Sequence, residues 1–230
     1  MHIDDVRSMQ QRFNKRFDKF GRTAKTLDWD KGKQEIRFEI LTSQYSFEGK
    51  SVIDVGCGFG DLIPTLKEKA SNFKYMGIDI VDVFIEEAQG LYTDSNYSFV
   101  VADFIEHDFV ETFDYCIASG VFNYRLKQDN YDFIFDAMHK AWDICRDGFA
   151  FDFLSDKVDY EIDHAFHSSP CKILEFAYSL SKNVILRNDY MPFEFSLFMF
   201  KDDSFAQEDT LFTTYKLKNT TNNKSIKSFL

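Results

Sequence analysis

Residues Val52 to Asp61 read Val-Ile-Asp-Val-Gly-Cys-Gly-Phe-Gly-Asp. A β-branched apolar run there holds one carboxylate, Asp54, and breaks into three alternate glycines, Gly56, Gly58 and Gly60. Glycines let a backbone turn tightly and approach a ligand that a Cβ would exclude. Two more acids close later apolar runs: Asp79 ends Tyr75-Met76-Gly77-Ile78-Asp79, and Asp103 ends Phe99-Val100-Val101-Ala102-Asp103. Asp79 follows the glycine loop by about twenty residues, the spacing at which a carboxylate accepts the hydroxyls of a ribose. A carboxylate at Asp103 can accept from an adenine amino group, with Phe104 against the ring. The chemistry these types and spacings point to is recognition of an adenosine.

A pyrophosphate fits this loop poorly. Dinucleotide loops read G-x-G-x-x-G and set the phosphates on a helix N-terminus. This loop reads G-x-G-x-G and runs into Asp61, whose charge repels a phosphate. An adenosine with positive charge and no phosphate fits better, and S-adenosylmethionine, a sulfonium with an ammonium, has that character.

The acids need a scaffold that brings strand ends together. The spacing predicts strands at about 51–55, 74–79, 98–102, 113–118, 148–154, 183–188 and 194–200, and helices at about 61–69, 82–89, 128–145 and 170–181. Such alternation predicts a mostly parallel sheet with right-handed crossovers. The connection around Pro192 is too short for a helical crossover, so the last two strands must be antiparallel. Before the first strand, Val6, Met9, Phe13, Phe17 and Phe20 recur at helical spacing, and Gln34 to Leu41 predicts a second short helix. The expected organisation is a helical cap over 1–49, a ligand-binding domain over 50–201 and a partly disordered tail over 202–230.

Composition bounds the partners. The chain has 230 residues and a formal net charge of −11, which disfavours a nucleic acid partner. Its four cysteines form no C-x-x-C pair and read as reduced thiols. The first residues hold no secretory pattern and no apolar run reaches membrane-spanning length, so the expected location is the cytoplasm, without membrane insertion. The 27 phenylalanines predict an aromatic core or pocket.

Taken together, these residues resemble the class I S-adenosylmethionine-dependent methyltransferases over roughly 50–200. The resemblance rests on the loop Asp54 to Gly60, on Asp79 and Asp103, on the segment Ala118-Ser119-Gly120-Val121-Phe122-Asn123-Tyr124, and on the terminal hairpin. It implies a Rossmann-like α/β fold of seven strands in the order 3-2-1-4-5-7-6, with one antiparallel strand and helices on both faces. It also implies that Asp54 and the backbone of Gly56, Cys57, Gly58 and Gly60 serve the methionine end. Asp79 and Ile80 would then hold the ribose and Asp103 and Phe104 the adenine, with Ser119 and Phe122 near the transferable methyl. A narrower resemblance, to small bacterial methyltransferases found with surface-polysaccharide genes, implies O-methylation of a sugar, a sugar nucleotide or a capsule decoration such as a phosphoramidate.

Methylating a neutral hydroxyl requires a base. His164 and His167, in the long connection after the fifth strand, are candidates, with Asp163 or Glu161 to orient a ring. The H-x-x-H spacing beside carboxylates also permits a metal site, or a plain surface loop, and the expectation is no metal. Asp189, Tyr190 and Glu194, around the hairpin turn, are candidates for sugar hydroxyls, and Tyr190 for a catalytic contact. Trp29, Gln34, Arg37 and Phe38 precede the first strand, and Arg37 is a fork-shaped donor suited to the methionine carboxylate. The basic face of the first helix (Arg12, Lys15, Arg16, Lys19) reads first as a solvated face. An NAD(P)-dependent oxidoreductase and a non-catalytic nucleoside-binding protein are the rival readings. The oligomeric state is open.

Overall fold

The computed structural model describes residues 1–28 and 33–201. Trp29 and the expected tail lie outside the described residues. Seven strands form one sheet: β1 (Lys50–Val55), β2 (Phe73–Asp79), β3 (Tyr97–Val101), β4 (Phe113–Ala118), β5 (Cys145–Leu154), β6 (Asn183–Arg187) and β7 (Glu194–Phe200). Their order is β3-β2-β1-β4-β5-β7-β6, parallel up to β5 and antiparallel at both β7 pairings. This is the order the family resemblance implied. The six residues of β4 and the seven of β7 are all buried. Strands covered on both faces are mostly apolar for that reason, with Asp114 in β4 and Glu194 and Ser196 in β7 as the exceptions.

Among the described residues six α-helices accompany the sheet: α1 (Ile3–Phe20), α2 (Gln34–Leu41), α3 (Leu62–Lys69), α4 (Asp82–Leu91), α5 (Asn130–Ile144) and α6 (Pro170–Leu180). Their ends follow local rules. Asp129 caps α5 by accepting from Tyr131 N at 2.8 Å. Pro170 opens α6, where a missing N–H costs nothing. Gly21 stops α1 with φ 59°.

Two apolar clusters cover the two faces. One joins Ile53, Val55, Cys116 and Phe149 to Ile134, Met138, Ile173 and Ala177 of α5 and α6. The other joins Val52, Tyr75 and Ile117 to Phe38, Leu41, Leu66 and Ile85 of α2, α3 and α4. Phe38, Leu41 and Phe47, from the segment before β1, thus share a core with the strands. A third, smaller cluster docks α1: Phe13 and Phe17 pack against Phe59 and Phe84, with ring centroids 5.7 Å (Phe13–Phe84) and 6.0 Å (Phe17–Phe59) apart. That contact lays α1 across the carboxyl end of the sheet, beside the glycine loop.

β5 begins at Cys145, three residues before the expected start, and its pairing with β4 shifts register between Phe113 and Tyr115. The helix and strand meet here without a loop, because α5 ends on Ile144. At Gly148 a Cβ would lie 2.0 Å from the Met199 carbonyl oxygen, so the close β5–β7 approach admits only glycine.

Candidate functional site

The sheet order sets the site out in a line. Asp103 follows β3, Asp79 ends β2, the glycine loop follows β1, Ser119 follows β4, and Asp152 lies near the end of β5. All but Asp152 line one crevice at the carboxyl ends of the strands, where ligands of open α/β sheets bind. The cavity is about 160 Å³ and its walls include Gly56, Cys57, Gly58, Ile80, Phe104, Ser119 and Phe122. Met9 and Phe13 of α1 and Leu27 close over it.

The loop is built for close approach. Gly56, Gly58 and Gly60 have φ of 66°, 53° and 78°. A Cβ on Gly56 would stand 2.6 Å from Val121 Cγ2, and one on Gly58 would stand 3.2 Å from Leu27 Cδ1. Gly60 serves packing instead: its Cβ would meet the rings of Tyr92 and Phe99. The two glycines that line the crevice and the one that does not thus divide the work of the motif.

Asp79 ties this loop to β2. Its Oδ2 accepts from Gly58 N and its Oδ1 from Val81 N, both at 2.9 Å. Each oxygen keeps a lone pair for a ribose hydroxyl. Burial raises the Asp79 carboxyl to about 6, against the lowering by the N–H groups of Val81, Gly58 and Ile80. Asp103 accepts from Ile105 N at 2.9 Å and from the Met1 amino group at 2.9 Å. The carbonyl of Ile80 takes Gln10 Nε2 at 2.7 Å, a bond that draws α1 onto the site.

Asp54 stands apart from the crevice. It is buried beneath the loop and accepts the Tyr75 hydroxyl at 2.6 Å. Burial raises its carboxyl to about 7; the Tyr75 bond lowers it, and the charges of Asp79 and Asp61 push it up further. Its hydrogen-bond partner is a strand tyrosine, and its side chain does not line the crevice that the resemblance assigned to it.

The remaining candidates divide. Arg37 does not line the crevice; its Nε donates to Glu194 Oε2 at 2.5 Å, its Nη2 donates to Glu194 Oε1, and its Nε lies 3.9 Å from Asp152 Oδ2. Glu194 is buried on that arginine, and Asp189 lies at the surface on Arg187. The Tyr190 hydroxyl shares a hydrogen bond of 2.7 Å with Ser196 Oγ, and burial first, then the Asp152 charge, push its ionisation far up. His167 is buried with both ring nitrogens engaged, Nδ1 with Ser155 O at 2.7 Å and Nε2 with Ile162 N at 3.2 Å. His164 is exposed and precedes Ala165, which bridges to the crevice residue Tyr124. Neither histidine lines the cavity, and among the described residues no three His, Cys, Asp or Glu side chains gather as a metal site would require. Arg12 and Arg16 of the basic helix face pair with Asp28.

Sequence reasoning missed Asp152. Its Oδ2 accepts from Ser119 Oγ at 2.7 Å and its Oδ1 from Gly120 N at 2.6 Å. The available signal was an acid inside Gly148-Phe149-Ala150-Phe151-Asp152-Phe153-Leu154, an otherwise apolar strand. A buried charge needs a partner, and that need marks such a residue.

Comparison with known proteins meets this geometry. A family described as a methyltransferase domain matches residues 52–143, the span that holds the loop, Asp79, Asp103 and Ser119. The chain is a class I S-adenosylmethionine-dependent methyltransferase. The methyltransferase is 29% identical over 161 residues to the Mycobacterium tuberculosis protein Rv1506c, which carries a provisional methyltransferase name; the match covers 66% of this chain and 93% of that one. In fold it is similar to magnesium protoporphyrin IX methyltransferase from Synechocystis PCC 6803 with bound S-adenosylhomocysteine, with a TM-score of 0.64, 16% identity, and coverage of 86% and 100%. It is likewise similar to the N-methyltransferase NodS from Bradyrhizobium japonicum WM9, with a TM-score of 0.62, 13% identity, and coverage of 86% and 98%. These identities are low enough that the likeness is one of fold, and the acceptors of those proteins stay with them. The methyltransferase-domain match, with β7 inserted antiparallel between β5 and β6, sets methyl transfer above the oxidoreductase reading.

Proposed function

We propose that the methyltransferase places the methyl group of S-adenosylmethionine on an oxygen of a small acceptor: a sugar, a sugar nucleotide or a capsule decoration such as a phosphoramidate. The carrying observation is the line of acids and glycines along one crevice. Asp79 and Asp103 are spaced for the ribose and adenine of one nucleoside, and Gly56 and Gly58 leave bare backbone where its charged side chain would run. The cofactor supplies a methyl on a sulfonium, an electrophile that needs an aligned lone pair and a dry site.

The residues of this chain do the rest. Asp79 holds hydroxyls while also fixing the loop. Val121 and Phe122 wall the crevice, and Leu27, Met9 and Phe13 cover it and keep water out. The cap residues Met9, Phe13 and Gln34 line the crevice, and we assign the acceptor's approach to that side. The bridge between Ala165, the neighbour of His164, and the crevice residue Tyr124 supports an acceptor contact by that histidine. The net charge of −11 argues against a polyphosphate backbone as acceptor. Free cysteines, three of them buried, fit a cytoplasmic protein, and no helix among the described residues is long and apolar enough to cross a membrane.

Calorimetry with S-adenosylhomocysteine tests the crevice, and labelled S-adenosylmethionine incubated with a cell extract tests the acceptor. The expected product is a small molecule carrying an O-linked methyl by mass and NMR. A methyl on nitrogen, or on protein or nucleic acid, overturns the acceptor reading.

A further inference from the structure

We infer that Ser119 and Asp152 form a proton relay at the methyl-transfer end of the crevice, with Ser119 the catalytic residue and Asp152 the positioning residue behind it. The inference rests on the O-methylation reading above.

The sheet order carries the first step. Adenine and ribose belong to Asp103 and Asp79, after β3 and β2, so the sulfonium side chain must run across the β1 loop toward β4. Ser119 is the first residue after β4 and lines the crevice. Its hydroxyl carries one proton, and that proton is donated to Asp152 Oδ2 at 2.7 Å. Ser119 Oγ therefore turns lone pairs, not a proton, toward a ligand. A group so oriented accepts from an acceptor hydroxyl.

Asp152 is 1% exposed and has no route to the ligand except through Ser119 and Gly120. The groups facing it are Arg37 from α2, Tyr190 from the hairpin turn, and Glu194 of β7 through Arg37. Burial pushes its carboxyl up, while the Arg37 charge and the bonds from Gly120 and Ser119 hold it down. The result is a carboxylate more basic than one in water.

Of the other candidate bases, His164 lies outside the cavity lining, and the rest are committed elsewhere. Asp54 holds Tyr75, Asp79 holds backbone at the ribose end, His167 has both nitrogens engaged, and the Tyr190 hydroxyl stays neutral.

The step balances. The acceptor oxygen forms a bond to the methyl carbon as the carbon–sulfur bond breaks, its electron pair passing to sulfur. The acceptor proton passes to Ser119 Oγ, and the Ser119 proton passes to Asp152 Oδ2. A general-base contribution of this kind is worth about 10²–10⁴ in rate.

Four variants test it: Ser119→Ala, Ser119→Thr, Asp152→Asn and, for the rival base, His164→Ala. The assay is initial label transfer from S-adenosylmethionine to the small-molecule fraction of a cell extract, with the product atom assigned by NMR. In Asp152→Asn the amide oxygen stays on Gly120 N, so its NH₂ faces Ser119 and turns that hydroxyl into a donor. The expected results are an O-methyl product, rates at least about 100-fold lower in Ser119→Ala and Asp152→Asn, recovery in Ser119→Thr, and S-adenosylhomocysteine affinity within about twofold of wild type. The acid limb of the pH–rate profile should vanish in Asp152→Asn. A readout free of cofactor is ¹³C-carboxyl NMR titration, where Ser119→Ala removes a donor and moves the Asp152 midpoint upward. An O-methyl product with both variants fully active, an acid limb lost only in His164→Ala, or an unmoved Asp152 midpoint each overturns the relay and leaves the O-methylation reading in place. A methyl found on nitrogen overturns both. If Asp152→Asn does not fold, the Ser119 pair decides.

Discussion

Arg37 and Glu194, 157 positions apart, are joined by a buried two-pronged ion pair. The pair pins α2 to the start of β7, with Asp152 of β5 3.9 Å from the same guanidinium. The residue that sequence spacing offered as a clamp for a ligand carboxylate thus clamps a carboxylate of its own chain.

Breaking that pair from one side leaves a buried charge. We expect Glu194→Gln to lower stability by about 3 kcal/mol, and Arg37→Met combined with Glu194→Leu to cost less than the sum of the single changes. Urea unfolding of Glu194→Gln, the two single changes and the double variant checks this; strict additivity would contradict a direct coupling.

Cofactor affinity should depend on the charge of Asp79. The ionised carboxylate accepts two hydroxyls, and its protonated form accepts fewer. With the carboxyl raised to about 6, affinity for S-adenosylhomocysteine should be full near pH 8 and should fall below about pH 6. Asp79→Asn should lose tenfold or more at pH 8, since bonds to a charged group are worth about 1.5–3 kcal/mol. A flat calorimetric pH profile would remove Asp79 from the ribose contact.

Asp54 links folding to proton uptake. Its carboxyl rises from 3.8 to about 7 in the folded protein. The folded state then holds a proton that the unfolded state has lost, so stability falls as pH rises. The contribution is complete below about pH 4 and gone above about pH 7, fading by about 1.4 kcal/mol for each pH step of one between those limits. Asp54→Asn mimics the protonated form and still accepts from Tyr75. Melting temperatures at pH 5.5 and 8 should differ less in that variant than in the wild type. An unchanged difference would place the uptake elsewhere.

Gly148→Ala should prevent stable folding. The new Cβ would meet the Met199 carbonyl oxygen at 2.0 Å, and that atom is backbone in a buried strand, so it has no rotamer by which to yield. Gly90→Ala is the contrast, because nothing lies within 4 Å of its Cβ; in the α4 helix it should stabilise by about 0.5–1 kcal/mol. Circular dichroism with thermal melts distinguishes the two.

Much of this molecule was determined by local pattern. The run Val52 to Val55 with its glycines, the acids at Asp79 and Asp103, and the short gap around Pro192 state a strand, a bare loop, two strand ends and an antiparallel turn. Each follows from backbone freedom, side-chain alternation or chain reach over a few residues. Those features, with the family resemblance they carry, sufficed for the sheet order and for the glycines and acids that line the crevice. The tertiary structure alone decided who partners whom across long separations. Arg37 meets Glu194, His167 turns inward to Ser155 and Ile162, and Asp152 reaches Ser119 across neighbouring strands. A charged or polar side chain carries the same spelling whether it faces solvent, a ligand or a buried partner. Burial then makes the choice, because a desolvated charge must find its counterpart wherever the packed sheet brings one within reach.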